Sequence, residues 1–339
     1  MSPPVVGRSS SEEDPVSERR NAPFADCVQS ITFEVTMRVF LAGATGAIGK
    51  PLVRLLLSSG HMVFGMTRST DAAKTLSNAG VAAIMADALD PVSVKDAVVE
   101  ARPDVIINEL TSLPRHYTPA EMKAAAERDG KVRLQGNENL LAGAESAGVG
   151  RFLVQSSAFW YAPGPGLADE TEGFAFDASP AIAAGTRQYA ELESSVLRRN
   201  GMIGVALRYG FFYGPGTWFT PEGDVGEQVR QQQLPIIGNG QGVATWVHVE
   251  DAAGATVAAL DCASGAYNVV DDDPAEQRVW LAAFARKCGA PPPPHVTEEQ
   301  AMQASGADAV YYATRLRGAS NAKAKRELSF RPRRLEWLD

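Results

Sequence analysis

The chain has 339 residues, 45% hydrophobic and 21% charged, enough for one large domain or a core domain with a smaller lobe. Its formal charge of −8 argues against nucleic-acid or anionic-membrane partners, and no apolar run approaches the ~18 residues of a membrane helix. Three scattered cysteines (Cys27, Cys262, Cys288) and four histidines without ligand spacing exclude a disulfide framework or metal cluster and fit a reducing cytoplasm.

Residues 1–36, which include SSSEEDPVSERRN, mix both charge signs with Ser and Pro and predict a disordered tail without signal-peptide features. From Met37 onward, strands and helices alternate. RVFLAG (38–43) predicts a strand and GKPLVRLLLSSG (49–60) a helix; HMVFGMTR (61–68), AAIMAD (82–87) and DVIINEL (104–110) predict further strands. SVKDAVVEA (93–101) and a long stretch around 121–147 predict helices, followed by strands RFLVQSS (151–157) and GVALRYG (204–210). Near-continuous apolar strands alternating with helices imply an α/β fold, a doubly wound parallel sheet of Rossmann type with ligands at the strands' carboxyl ends. A Rossmann domain is expected over 37–210, with 243–270 returning to it. Residues 211–242 and 271–339, rich in Gly, Pro and aromatics, are expected to form a smaller C-terminal substrate lobe. GAPPPPHV (289–296) predicts a rigid connector, and the run Lys323, Lys325, Arg326, Arg331, Arg333, Arg334 a solvated helix face.

GATGAIG places Gly43, Gly46 and Gly49 three residues apart, between the first strand and the first helix. Glycines there permit a tight turn and let a pyrophosphate approach the backbone, with Thr45, Ala47 and Ile48 completing the loop. The second strand ends at Arg68, where an NAD site usually carries an acid; its charged fork suits a 2′-phosphate and favours NADPH, with NADH as second option. Asp87, after the third strand, is a candidate acceptor for the adenine amine, the alternative being a loop-capping aspartate.

With these pieces, GNENLLAGAESAGVGRFLVQSS (136–157), RYGFFYGPG (208–216) and WVHVEDAAGA (246–255), the chain resembles the extended short-chain dehydrogenase/reductases over roughly residues 37–335. The resemblance implies that Asp87, Ala88, Leu110 and Thr111 flank the cofactor. It also implies that Gln155 and Ser156 lie beside the nicotinamide ribose, and Tyr209, Gly210 and Phe211 near the nicotinamide. It implies a Ser–Tyr–Lys catalytic set as well, and here the chain departs. Ser157 matches the serine, but alignment on Glu193 puts Gly185 and Tyr189 at the Tyr and Lys positions, and a one-residue slide gives Thr186 and Ala190. No tyrosine in the chain has a lysine four residues later, and Arg133 stands where the family often has an asparagine.

A well-placed general acid contributes ~10²–10⁴-fold to rate, so the proton must come from Ser157, Thr186, Tyr161, water or the substrate itself. A phenol beside the ketone supplies one internally. Phe159, Trp160 and Tyr161 after the serine, with Phe212 and Trp218 further on, are candidates to stack on a flat aromatic substrate, the alternative being lobe packing. The combination looks most like the atypical ketoreductases of the simocyclinone type that tailor angucyclinone polyketides. The leading expectation is therefore an NAD(P)H-dependent ketoreductase reducing a carbonyl of a polycyclic, angucyclinone-like aromatic polyketide, with the proton drawn from the substrate or water. A non-catalytic NADP(H) sensor and a sugar-nucleotide epimerase or dehydratase are the alternatives. His248 is expected to be a satisfied histidine at the lobe junction rather than a pocket residue.

Overall fold

The computed structural model describes residues 36–338, so the expected tail, with Cys27, lies outside the described residues except for Thr36. Val39–Leu41 and Val105–Ile107 have no exposed surface, which is what strands covered on both faces require. They belong to β1 (Arg38–Ala42) and β4 (Val105–Asn108), the central strands. Between them run α1 (Gly49–Ser58), β2 (Met62–Thr67), α2 (Thr70–Asn78), β3 (Ala82–Met85) and α3 (Pro91–Ala101). After β4 come α4 (Pro119–Ala147), β5 (Arg151–Ser157), α5 (Pro180–Leu197) and β6 (Ile203–Tyr209). The helices start where the sequence provides caps: Asp90 accepts from the backbone N–H groups of Val92 and Ser93, Thr118 accepts from Glu121, and proline follows each cap.

The later elements are short: β7 (Phe211–Tyr213), α6 (Asp224–Arg230), β8 (Ile236–Ile237), β9 (Val243–Ala244), β10 (Trp246–His248), α7 (Val249–Ala258), β11 (Gly265–Val269) and β12 (Ala275–Glu276). Then follow α8 (Gln277–Lys287), β13 (His295–Val296), α9 (Glu298–Thr314) and α10 (Ala322–Glu327). Seven strands form one parallel sheet in the order β11-β6-β5-β4-β1-β2-β3. The winding direction reverses between β1 and β4, and a crevice for ligands opens at the carboxyl ends there.

One apolar cluster joins Leu52, Leu56, Tyr209, Ala252 and Tyr267 on one face of the sheet; another joins Val98, Leu140, Leu141, Phe152 and Val196 on the other. A third, built on Phe219, Trp246, Phe284 and Trp337, holds the later segments together. The proline-rich connector ends by docking: Ile236 N donates to Pro294 O and β13 pairs with β8. The basic run is mostly solvent-exposed, as expected, although only Lys323, Lys325 and Arg326 lie on a helix and several of its charges are also paired. Lys323 Nζ donates to Ala266 O and lies 4.1 Å from the Tyr267 ring centroid. Lys325 pairs with Asp272, Arg333 with Asp251 and Arg334 with Asp273, so the run fastens the C-terminal segment to the sheet's end. His248 is a satisfied buried histidine whose Nδ1 accepts from Glu250 N at the start of α7. Among the described residues no helix is long and apolar enough to cross a membrane.

Candidate active site

β1 delivers the chain to Gly43 in a left-handed conformation (φ 94°), and Gly46 N donates back to Gly43 O at 3.0 Å. A Cβ at Gly43 would lie 2.6 Å from Glu109 O, and one at Gly49 2.2 Å from Gly43 O, so both glycines are required by close approach. Ile48 anchors the loop in the core, while Thr45 and Gly46 are exposed and Ala47 half-buried. No side chain caps α1 and its first turn holds no acid, which leaves backbone N–H groups and a positive dipole end for an anion. These features fit a dinucleotide pyrophosphate.

At the neighbouring strand ends, Arg68 Nη1 lies 3.6 Å from Asp87 Oδ2, while Asp87 Oδ1 accepts from Leu89 N. Asp87 thus caps its own loop, and the exposed pair is weak enough for a phosphate to displace. Ala88 is buried with its carbonyl accepting from Asn139, Leu110 N donates to Asn108 Oδ1, and Thr111 is exposed on the crevice-side loop.

The end of β5 differs from expectation in several places. Gln155 is buried there, but Ser156 faces α5, its hydroxyl donating to Glu193 Oε1 at 2.5 Å, rather than a ribose. Ser157 is 1% exposed, with Oγ accepting from Phe159 N at 3.4 Å, so its hydroxyl holds the turn and is closed to a substrate in this state. Tyr161 is not a substrate aromatic. It is 1% exposed, donates to Asn268 Oδ1 and accepts from Arg208 Nη1, both at 2.7 Å, and burial pushes its pKa up to about 12. Thr186 donates to Ile182 O inside α5. All three protein hydroxyls proposed as proton sources are therefore spent or sealed. Gly185 also has a steric cause: a Cβ there would lie 2.6 Å from the Trp160 ring, which occupies the space beside this turn of α5.

Tyr209, expected near the nicotinamide, instead points into the face covered by α1 and α7, because β-strand side chains alternate. Its Oη lies 3.0 Å from Glu109 Oε1 and 2.6 Å from Thr256 Oγ1. Phe212 packs on Tyr209 with ring centroids 5.2 Å apart, so it too is a core-side residue and not a substrate contact. Gly210 must be glycine, since a Cβ would meet Thr245 O at 2.6 Å. Phe211, assigned from resemblance to the cofactor, stacks on Phe159 (4.3 Å, 12°). Trp160 donates through Nε1 to Tyr312 Oη at 3.1 Å, and Trp218 donates to Arg115 O while packing against Tyr117. Phe159, Trp160, Phe211 and Trp218 are half-buried and form one aromatic wall with Tyr117, Tyr189 and Tyr312.

Three groups at this site, Tyr312, Asp129 and Glu109, have no counterpart in the sequence expectations, and Arg133 entered them only as a departure from the family's asparagine. Tyr312 arrives on α9 from the far end of the chain, and no local pattern announces it. Asp129 and Arg133 form an i,i+4 pair (2.7 Å) on α4, both nearly buried; ordinary helix surface pairing looks identical in sequence. Glu109 interrupts an otherwise apolar strand end, and that was the available signal. It is 5% exposed, its Oε2 has no partner, and burial raises its pKa from 4.5 to about 8 against the opposing effects of Tyr209 and Arg133.

Residues 39–270 match the NAD dependent epimerase/dehydratase family. The chain is 38% identical over 306 residues to a 3-diazoavenalumate denitrifying reductase from a Streptomyces species, covering 89% of this chain and 98% of that one. It is 25% identical over 258 residues to the 4-hydroxy-2-methyl-3-oxo-4-farnesyl-3,4-dihydroquinoline-1-oxide ketoreductase of Stigmatella aurantiaca, covering 75% and 74% of the two chains. The fold superposes on the UDP-glucose 4-epimerase of Thermus thermophilus in complex with NAD with a TM-score of 0.65 at 24% identity, over 87% of this chain and 94% of the other.

Proposed function

The chain belongs to the NAD dependent epimerase/dehydratase family and is an NAD(P)-dependent oxidoreductase; within that family we propose that it reduces an aromatic substrate whose reacting group takes hydride without an acid from the protein. One observation carries this reading. The hydroxyls of Ser156, Ser157, Tyr161 and Thr186 are bonded inside the protein or sealed, and Trp160 fills the space beside Gly185, where the family resemblance places a tyrosine. A ketone that accepts hydride is an alkoxide until a proton reaches it. An arenediazonium that accepts hydride leaves as arene and dinitrogen, with protons and charge balanced. The Streptomyces relative, named for a diazo compound and for denitrification, makes the diazo group the leading acceptor.

The Gly43–Gly49 turn would hold a nicotinamide dinucleotide, which would supply the hydride; the protein's contribution is alignment, exclusion of water and an aromatic wall for the substrate ring. The second reading is a ketone of an aromatic polyketide with a phenol beside it, favoured by the Stigmatella ketoreductase and by the same wall. A sugar-nucleotide epimerase ranks lower, since removing a hydroxyl proton needs a base and none stands at residue 185.

The deciding experiment offers NADPH with diazotised aminoaryl acids in one panel and hydroxyanthraquinone-like ketones in another, following nicotinamide absorbance and headspace dinitrogen. Cofactor oxidation matched by dinitrogen release is expected. Turnover of ketones alone would transfer the assignment to the second reading, and silence on both panels with tight NADPH binding would make the protein a sensor.

Arg68 supports NADPH as the cofactor, its guanidinium being released from the exposed contact with Asp87 to meet a 2′-phosphate. Arg68→Ala is expected to weaken NADPH binding roughly 10-fold while leaving NADH within about 2-fold, measured by fluorescence titration. Equal change for both cofactors would remove the preference.

A further inference from the structure

Arg133 is an unusual group to find beside an aromatic wall. The residue is 6% exposed, its Nε donates to Asp129 Oδ2 at 2.7 Å, and its guanidinium lies 5.0 Å from the Tyr189 ring centroid. Asp129 is itself fixed, its other carboxylate oxygen accepting from Ser112 N at 2.5 Å. The two Nη groups of Arg133 make no hydrogen bond to any described residue, and they are not among the sealed, partnerless polar atoms, so they keep some exposure beside the aromatic wall. A guanidinium nearly withdrawn from water with its terminal donors unmet is costly unless something else meets them.

The other acid that Arg133 feels is Glu109, which burial keeps largely protonated at neutral pH and whose Oε1 is engaged by Tyr209. It therefore does not compete for the fork. From Tyr189 the wall continues to Trp160 (5.4 Å), which reaches Tyr312 through its indole N–H, and Tyr312 packs against Phe211 (6.2 Å). The site thus sets flat aromatic surface beside a cationic fork whose terminal donors are unmet. Two free Nη donors in one plane match the two oxygens of a carboxylate.

We propose that Arg133 is the specificity-determining anchor of the substrate site, and that the substrate is an aromatic carboxylate whose ring lies along Tyr189, Trp160 and Tyr312. This rests on reading the cleft as the reductase's substrate site but not on the identity of the group reduced. Asp129 is the positioning residue that aims the fork.

Binding without turnover tests it. The full chain saturated with NADP⁺ is titrated calorimetrically with 4-hydroxycinnamate, with the corresponding amide, and with 4-vinylphenol. The acid is expected to bind roughly 10- to 100-fold more tightly than the amide, the scale of a charge-assisted pair. Arg133→Met should erase that difference at unchanged NADP⁺ affinity, and Arg133→Lys should restore part of it. If the acid and amide bind the wild-type protein equally, or neither binds, the proposal is overturned, and this comparison needs no variant to fold. Equal acid affinity in wild type and Arg133→Met also overturns it, and stronger binding of 4-vinylphenol would reassign the fork to a phenolate. Binding of the acid through Arg133, with no dinitrogen released from the diazotised aminoaryl acids and NADPH, would keep this inference and remove the diazo reading; the converse would do the opposite.

Discussion

Glu193→Gln is expected to destabilise the protein by about 3–5 kcal/mol, the scale of a buried ion pair broken on one side. Arg208 meets Glu193 through two parallel bonds, Nη2 to Oε2 at 2.7 Å and Nε to Oε1 at 2.8 Å, with both side chains only 6–7% exposed. Ser156 donates to the same carboxylate, and Arg208 Nη1 donates to Tyr161, which passes the connection to Asn268. The guanidinium also lies 4.5 Å from the Phe174 ring centroid. Glutamine keeps the volume, so no cavity forms; the loss comes from leaving a cation in the core without its counter-charge. Arg208→Met should cost a similar amount by stranding the carboxylate. The double variant should lie well above the sum of the two, because a buried pair exchanged for neutral groups of similar size is often close to neutral. Urea unfolding of the four proteins reads this directly. Single variants within about 1 kcal/mol of wild type would show that solvent reaches the pair. The network matters for function because it ties the end of β5 to α5 and β6, the elements that set Trp160 and Phe211 in place.

The fold was largely legible because its signals are local. Alternating apolar strands and helices, Asp90-Pro91 and Thr118-Pro119 as helix starts, and glycine spacing after β1 each act within a few residues. The cleft was less legible because strand parity decides which side a residue serves. Within RYGFFY, Phe211 faces the aromatic wall while Tyr209 and Phe212 face the α1–α7 side, and a bend at Gly210 separates the two runs. Tyr161 looked like its neighbours Phe159 and Trp160, yet its hydroxyl is committed to Arg208 and Asn268, partners 47 and 107 residues away. Arg133 showed in the sequence only as a departure from a family asparagine, and Glu109 only as an acid at a strand end. Their importance comes from burial, which removes water and leaves donors or protons to be accounted for.

Burial makes Glu109 the source of a second large effect, this one dependent on pH. The Tyr209 hydroxyl donates to Glu109 Oε1 at 3.0 Å and shares a 2.6 Å contact with Thr256 in which either oxygen can donate, while Glu109 Oε2 has no partner. Burial penalises the ionised carboxylate more than the Tyr209 hydrogen bond favours it. The folded protein therefore keeps a proton up to about pH 8 that the unfolded chain releases near 4.5. The corresponding stabilisation is complete below 4.5, declines by up to ~1.4 kcal/mol per unit as pH rises, and is gone above 8. Asp271, 3% exposed with its pKa raised from 3.8 to about 8, adds a slope of the same sign. Glu109→Gln isolates the first contribution. The amide keeps the volume and an oxygen that accepts from Tyr209, and it never ionises. At pH 4 the variant should match wild type within about 1 kcal/mol, and by pH 8 it should be more stable by roughly 3–5 kcal/mol, with the gap constant at higher pH. Denaturant midpoints across that range measure it. A gap that does not change with pH would mean that the carboxyl is already ionised in the folded protein, with a negative charge held directly beneath the Gly43 turn.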